Sequence, residues 1–453
     1  MMKRRDALKT LGGLGAAAGM ARVLPGCGSG GSGITTYVFM MMENRSYDHL
    51  LGARSMLEGM PGDGLTMTMT NPDQSGAPIA PWEPDVLHMC DTDPPHGWER
   101  AHLQWNHGAN DGFVIQHQLE HGDPTAIEPM QYLTRKQVPV TWALADRYAI
   151  ADRWFCSVMG PTFPNRFYWH TGTSGGLNSN VVPAGGLSWG SIYHRLEAKG
   201  IDWRYYYSSL PVVSAINGVN LDKVRYFTEF LDDAAAGTLP PVVYIDPAFN
   251  SNDDHPPVHP INGQELITTV YRALATSPQW KNCLLLITYD ENGGFFDHVP
   301  PPTTVDDHAD LGFDQMGFRV PALVAGPYVK QGHVSSVVYD HCSALREIEL
   351  AFGLDPLNQR TAAAHDLGDF IDADRLSRGE WAPPIDLPVI DLAQWPMGKE
   401  CMAGSLAAGS HPVLEWADAH PERVAGLDRR AELPEYRRAI RDFLARRPRV
   451  PVR

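Results

Sequence analysis

The chain has 453 residues, with 37 basic and 53 acidic side chains and a formal net charge of −16. That balance argues against nucleic acid as the main partner, because neutralising a phosphate backbone takes basic patches. A small phosphate-bearing substrate stays open if a cation and some of the 18 histidines supply local positive charge. With 43% apolar residues and no dominant low-complexity block, the length suits one large α/β domain with insertions, or two domains.

Residues 1–33 read as a targeting segment and tether. Lys3-Arg4-Arg5-Asp6-Ala7-Leu8-Lys9 is similar to a twin-arginine export signal, with Ala7 where phenylalanine is usual. The Gly/Ala-rich stretch behind it is too short and too weakly apolar for a stable spanning helix. Leu24-Pro25-Gly26-Cys27 looks like a lipoprotein processing box, which would make Cys27 the lipidated first residue ahead of the flexible GSGGSG. An ordinary cleaved signal with an incidental cysteine is the alternative. Both imply an exported bacterial protein, periplasmic or extracellular, and the first adds a membrane tether.

Strand one is expected at Tyr37–Met42, and the Gly- and Pro-rich stretch 61–95 reads as an irregular excursion. Helical pattern resumes at 98–105 and 132–145, and a short helix is expected at 165–170 with Thr162 ahead of it. Val242–Pro247 reads as a strand followed by the loop SNDDHPPVHP, then by a helix carrying Leu266, Val270 and Leu274. Leu284–Tyr289 and Val320–Val329 read as further strands, and SALREIELAFG as a helix. From about residue 375 the chain is Pro-rich, ending in a basic amphipathic helix near 432–446. Strands alternating with helices predict an α/β fold, a mostly parallel sheet flanked by helices on both faces, with loop insertions at one edge. The expected organisation is 1–33 signal and tether, 34–374 catalytic domain, 375–453 extension.

Two of the expected strands empty into hard oxygen ligands, Glu43-Asn44 after the first and Asp290-Glu291 after Leu284–Tyr289. Ligand crevices lie beyond the carboxyl ends of parallel strands, so neighbouring strands would gather these four groups around one cation. An oxygen-rich set suits Ca²⁺, Mg²⁺, Mn²⁺ or Zn²⁺; helix capping or a simple turn is the alternative for each pair. Thr162 reads first as a helix cap, and second as an anion-binding hydroxyl able to act as a nucleophile. His96, His255 and His259 sit in proline-stiffened loops, and His298 and His341 each follow an aspartate. Such imidazoles can donate to phosphoryl oxygens or protonate a leaving alkoxide; singly, each is more often a structural histidine. Gly293-Gly294 permits a tight turn after the second pair. Apart from Cys27, the cysteines at 90, 156, 283, 342 and 401 match no zinc spacing, and no dense disulfide framework is expected.

MENRSYDHLLG, DPPH, GPTFPNR, SNDDHPPVH, TYDENGGFFDHVPPP and YDHCS, in this order, closely resemble the phosphoesterase family of bacterial and plant non-specific phospholipases C and related acid phosphatases. The match runs from about Thr36 to Phe352. The resemblance implies an alkaline-phosphatase-like core and phosphoryl transfer through a covalent intermediate. By position it implies Thr162 as nucleophile and Glu43, Asn44, Asp290 and Glu291 as ligands of one divalent metal ion. His96, His255 and His259 would surround the phosphoryl group, with Asn165, Arg166, Asp254, His298 and His341 in support. Tyr47 and Asn292 depart from the residues commoner in the family, and neither removes a proposed ligand. Phospholipase C is the expected activity, on phospholipid or a small phosphate ester. Acid phosphatase is the nearest alternative, and a non-catalytic metal-binding surface lipoprotein the remote one.

Overall fold

The computed structural model describes residues 33–85, 92–390, 411–427 and 433–446. Cys27, the expected export signal, Cys90 and Cys401 lie outside them. Ten strands are found among the described residues: β1 Thr36–Met42, β2 Asn71–Pro72, β3 Pro78–Ile79, β4 Ala149–Ala151, β5 Trp203–Tyr207, β6 Val224–Tyr226, β7 Val242–Ile245, β8 Cys283–Tyr289, β9 Ala322–Ala325 and β10 His333–Ser335. Eight of them form one sheet in the order β10-β4-β9-β8-β1-β7-β5-β6, and β2 with β3 makes a small hairpin. All neighbours in the large sheet run parallel except β9, which opposes both β8 and β4.

The centre of the sheet follows from the apolar runs. Every residue of β1, β7 and β8 is buried. Because alternate side chains leave a strand on opposite faces, burial of both parities requires both faces to be covered. Tyr37 and Phe39 of β1 meet Phe352 and Trp169, carried by the helices Cys342–Phe352 and Thr162–Thr171. A second set of helices, Pro139–Arg147, Phe227–Ala236 and Leu433–Arg446, packs around Ile261–Ala275. The mostly parallel sheet flanked by helices is therefore the fold the sequence predicts.

Local differences have local causes. The helix expected over 132–145 starts only at Pro139, because proline is tolerated in the first turn and not inside. The expected strand 320–329 shortens to Ala322–Ala325, bounded by Pro321 and by Gly326-Pro327, and it runs antiparallel. The aromatic run Trp203–Tyr207 forms β5. Three-residue strands β4, β6 and β10 escape sequence reading because three residues show no period. Cys156, Cys283 and Cys342 are buried free thiols.

Candidate active site

β1 and β8 pair in parallel with Met42 opposite Tyr289. Glu43 and Asp290 therefore leave the sheet side by side, followed by Asn44 and Glu291. The two turns lock together: Arg45 N–H donates to the Glu291 carbonyl at 3.1 Å, and Asn44 N–H to Asp290 Oδ1 at 3.2 Å. Asn44 adopts φ +59° and Gly293 φ +59°. A Cβ at Gly293 would collide with the Asn44 carbonyl, so only glycine lets the second turn close on the first.

Thr162 is the first residue of the helix Thr162–Thr171, with Pro161 before it. Its side chain caps nothing in that helix; its hydroxyl donates to Glu291 Oε1 at 3.1 Å. Asn165 holds the approach to it, accepting from Val158 N–H at 2.8 Å and donating to the Gly160 carbonyl at 2.9 Å. One turn along the helix, Arg166 is fully buried and faces three carboxylates. Its guanidinium lies 2.8 Å from Glu43 Oε1, 3.1 Å from Asp246 Oδ1 and 3.2 Å from Asp290 Oδ2. Tyr205 donates to the other oxygen of Asp246.

The four residues expected to bind one cation are thus divided. Glu43 and Asp290 share Arg166, whereas Asn44 and Glu291 stand beside Thr162 and His96. Asn44 Nδ2 donates to His96 Nε2 at 3.3 Å, and that nitrogen is 3.9 Å from Glu291 Oε1. His96 Nδ1 donates to the Pro94 carbonyl at 2.7 Å, which fixes the orientation of the ring. Asn44 Oδ1 and Glu291 Oε2 are buried and meet no hydrogen-bond donor. Two orphaned oxygens beside surplus buried carboxylate are what a hard divalent cation satisfies, so the residues fit such an ion.

Electrostatics agree. Burial, then the charge of Glu43, pushes Asp290 well above the usual carboxylate range despite Arg166. Burial, then Asp290 and Glu43, does the same to Glu291. Burial opposes ionisation of Glu43 as well, but His411 and Arg166 outweigh it and hold its carboxyl below the ordinary value.

The expected histidines fall into different places. Burial would discharge His255, but the carboxylates of Asp93, Glu43 and Asp253 outweigh it and raise its pKa to about 9. It is 3.3 Å from Asp93 Oδ2 and packs edge-on to His96 with ring centroids 5.8 Å apart. His259 Nδ1 accepts from Ile261 N–H at 3.1 Å, at the start of the following helix. His341 donates Nε2–H to the Asp290 carbonyl at 2.7 Å; burial lowers its pKa to about 4, so it is a neutral support for the β8 turn. Asp254 accepts from the Tyr289 hydroxyl at 2.6 Å and ties the histidine loop to the end of β8. His298 belongs to a separate network: Asp48 Oδ2 lies 2.7 Å and Asp63 Oδ1 3.1 Å from its ring, and Arg319 bridges Asp48 and Asp297.

Two groups of ligand-type side chains converge near the strand tips, Glu43 with Asp253, His255 and His411, and Asp93 with His96 and His255. Sequence reasoning did not single out His411, Asp93, Asp246 or Asp253. A signal for His411 was available: it precedes a proline, as His255 and His259 do.

A hydroxyl-bearing helix start, buried carboxylates, an arginine and several imidazoles converge at the ends of parallel strands, an arrangement suited to hydrolysis of an anionic ester. Residues 34–355 match the model of the Phosphoesterase family, and the chain belongs to that family. It is 32% identical over 399 residues to Non-specific phospholipase C6 of Arabidopsis thaliana, covering 79% of this chain and 76% of that one. It is 30% identical over 451 residues to Phospholipase C A of Mycobacterium tuberculosis, covering 82% and 85%. Among solved structures, it is similar to a protein in the alkaline phosphatase superfamily from Vibrio parahaemolyticus (TM-score 0.36, 11% identity, covering 51% of this chain and 64% of that one). The protein is a hydrolase acting on phosphoric ester bonds.

Proposed function

We propose that the chain is an exported phospholipase C that cleaves the glycerol–phosphate ester of a phospholipid through a phosphothreonine at Thr162. The observation that carries this reading is the Thr162 hydroxyl donating to a buried carboxylate, Glu291 Oε1, at 3.1 Å. The names of the relatives, both phospholipases C, support the substrate class.

In the first half-reaction the Thr162 oxygen forms a bond to phosphorus and its proton passes to Glu291. Burial, then the charges of Asp290 and Glu43, raises the affinity of Glu291 for a proton, the direction that favours proton transfer to it. The bond from phosphorus to the glycerol oxygen breaks, and the departing alkoxide takes a proton from the imidazolium of His255, giving diacylglycerol. In the second half-reaction water attacks phosphorus, gives its proton to neutral His255, and the Thr162 oxygen leaves with the proton held by Glu291. The products are phosphocholine or another head-group phosphate and the free hydroxyl. Arg166 holds Glu43 and Asp290 in place while His96 and Asn44 face the phosphoryl oxygens. A divalent cation held by Asn44 and Glu291, with Asp290 and Glu43 completing the set, would add positive charge to stabilise those oxygens.

We place the catalytic domain at 34–374, with 1–33 as export signal and tether and 375–453 as an extension. No helix among the described residues is long and apolar enough to cross a membrane. Cys27 is the proposed point of a lipid tether.

The test is turnover of phosphatidylcholine vesicles and of p-nitrophenyl phosphate, each with and without chelator. Chelator-sensitive release of diacylglycerol and phosphocholine is the expected result. Phosphate release from the monoester with no lipid cleavage overturns the phospholipase reading and leaves a phosphatase.

A further inference from the structure

We propose that His411 is the positioning residue for Glu43, so that the segment after residue 410 completes the active site. The inference rests on the reaction proposed above, in which Glu43 and Asp290, held by Arg166, complete the cation's ligand set. His411 Nε2 lies 2.6 Å from Glu43 Oε2, across 368 positions of sequence, and both side chains are fully buried.

The direction of this hydrogen bond is fixed by a second one. Val413 N–H donates to His411 Nδ1 at 3.2 Å, so that nitrogen is an acceptor and the ring hydrogen sits on Nε2, aimed at Glu43. The ring cannot swing away. Its face stacks on Phe249 at 4.4 Å and 13°, and His255 meets it edge-on at 5.6 Å and 88°. Pro412 begins the helix Pro412–Ala419 directly after it and stiffens the backbone there.

The terminal torsion of a glutamate is broad, so a carboxylate held at one oxygen can still rotate. Arg166 holds Oε1 of Glu43 at 2.8 Å and His411 holds Oε2. The Arg166 guanidinium also lies 5.0 Å from the Phe249 ring centroid, so both donors to Glu43 rest on one aromatic ring. Removing His411 frees one oxygen, and the disturbance passes through Arg166 to Asp290. The same segment reaches the nucleophile's helix, where Trp416 meets Phe163, the residue after Thr162, at 6.4 Å. Histidine donating to an active-site carboxylate is the arrangement by which an outer partner orients an inner one, worth about 10- to 100-fold in activity.

The experiment uses the full chain with His411→Phe, which keeps a stacking ring and removes the donor, and His411→Gln, which keeps an N–H. Kinetics are read on p-nitrophenylphosphorylcholine and on p-nitrophenyl phosphate, so the effect is measured on whichever ester the wild-type chain turns over. If the diester is not cleaved, the phospholipase reading fails and the His411 result still stands or falls on the monoester. His411→Phe is expected to lower kcat ~100-fold with KM within about threefold, and His411→Gln to recover about tenfold. In a Glu43→Gln background, either His411 change should cost less than about threefold, because both act through one contact. Melting temperatures identify a variant that does not fold; the Gln variant alone then closes the cycle. A His411→Phe kcat within threefold of wild type, equal losses in Phe and Gln variants, or additive losses with Glu43→Gln would each overturn the proposal.

Discussion

The Thr162 hydroxyl donates to Glu291 Oε1 at 3.1 Å, joining the start of one helix to the turn that follows β8. A helix-capping threonine would instead bond to backbone N–H groups of its own first turn. Thr162→Val keeps the shape and removes the hydroxyl, so folding should survive while kcat falls by roughly three decades or more. Thr162→Ser should keep a measurable fraction of the rate. Mass spectrometry after an acid quench should find a phosphoryl group on the peptide carrying Thr162 in the wild type and none in the valine variant. Near-normal turnover by Thr162→Val would exclude this nucleophile.

Arg166 is the only strong cation described between Glu43, Asp246 and Asp290, and it is completely buried. Breaking a buried ion pair by removing one partner leaves uncompensated charge, at a cost of about 3–5 kcal/mol. Arg166→Met should lose about that much stability in urea unfolding followed by tryptophan fluorescence. Arg166→Lys keeps the charge without the planar fork and should fall between the two. A loss below about 1 kcal/mol for the methionine variant would mean that the carboxylates are neutralised by something else.

These two residues also show how far the sequence could be read. Glu43-Asn44 and Asp290-Glu291 were legible because each ends a continuous apolar run, and a run buried on both faces is a central parallel strand. What no run of residues encodes is register: Met42 opposite Tyr289 is what turns two dipeptides into one site. Arg166 could be found in the GPTFPNR block, but its position between Glu43 and Asp290 depends on the helix lying over the strand tips. Among the four residues expected to hold one cation, it pairs with Glu43 and Asp290, while Asn44 and Glu291 carry the unsatisfied oxygens. His298 follows an aspartate just as His341 does, yet one joins the Asp48–Arg319 network and the other supports Asp290. Local chemistry cannot distinguish them; only the packing of their loops does.

The orphaned Asn44 Oδ1 and Glu291 Oε2 locate the response to metal removal. Dialysis against a chelator should abolish most turnover, and adding back a divalent cation should restore it. Calorimetric titration of the chelated protein should show one site per chain. Glu291→Gln, which keeps the size and removes the charge, should weaken cation binding by about 10- to 100-fold. Unchanged affinity in that variant would place the ion elsewhere, with the group formed by Glu43, Asp253, His255 and His411 as the alternative position.

Away from the site, Glu347 should govern part of the pH dependence of stability. It is buried on the helix Cys342–Phe352, and its Oε2 accepts from Leu367 N–H at 3.0 Å. Burial raises its pKa to about 7; the Leu367 N–H opposes the shift and Asp366 adds to it. The folded chain therefore holds this proton more tightly than the unfolded chain, whose carboxyl titrates near 4.5. Between those values the native state binds more protons, so stability falls as pH rises from 4.5 through 7 and levels off above. Below pH 4.5 the contribution is fully present. Glu347→Gln keeps the acceptor oxygen and never ionises, so its unfolding free energy should lack this slope. At pH 8 the variant should be more stable than wild type by up to ~3 kcal/mol, with the two converging below the unfolded carboxyl's pKa of 4.5. Urea unfolding at several pH values reads the difference directly, and parallel curves for the two proteins would show that Glu347 is solvated and titrates normally.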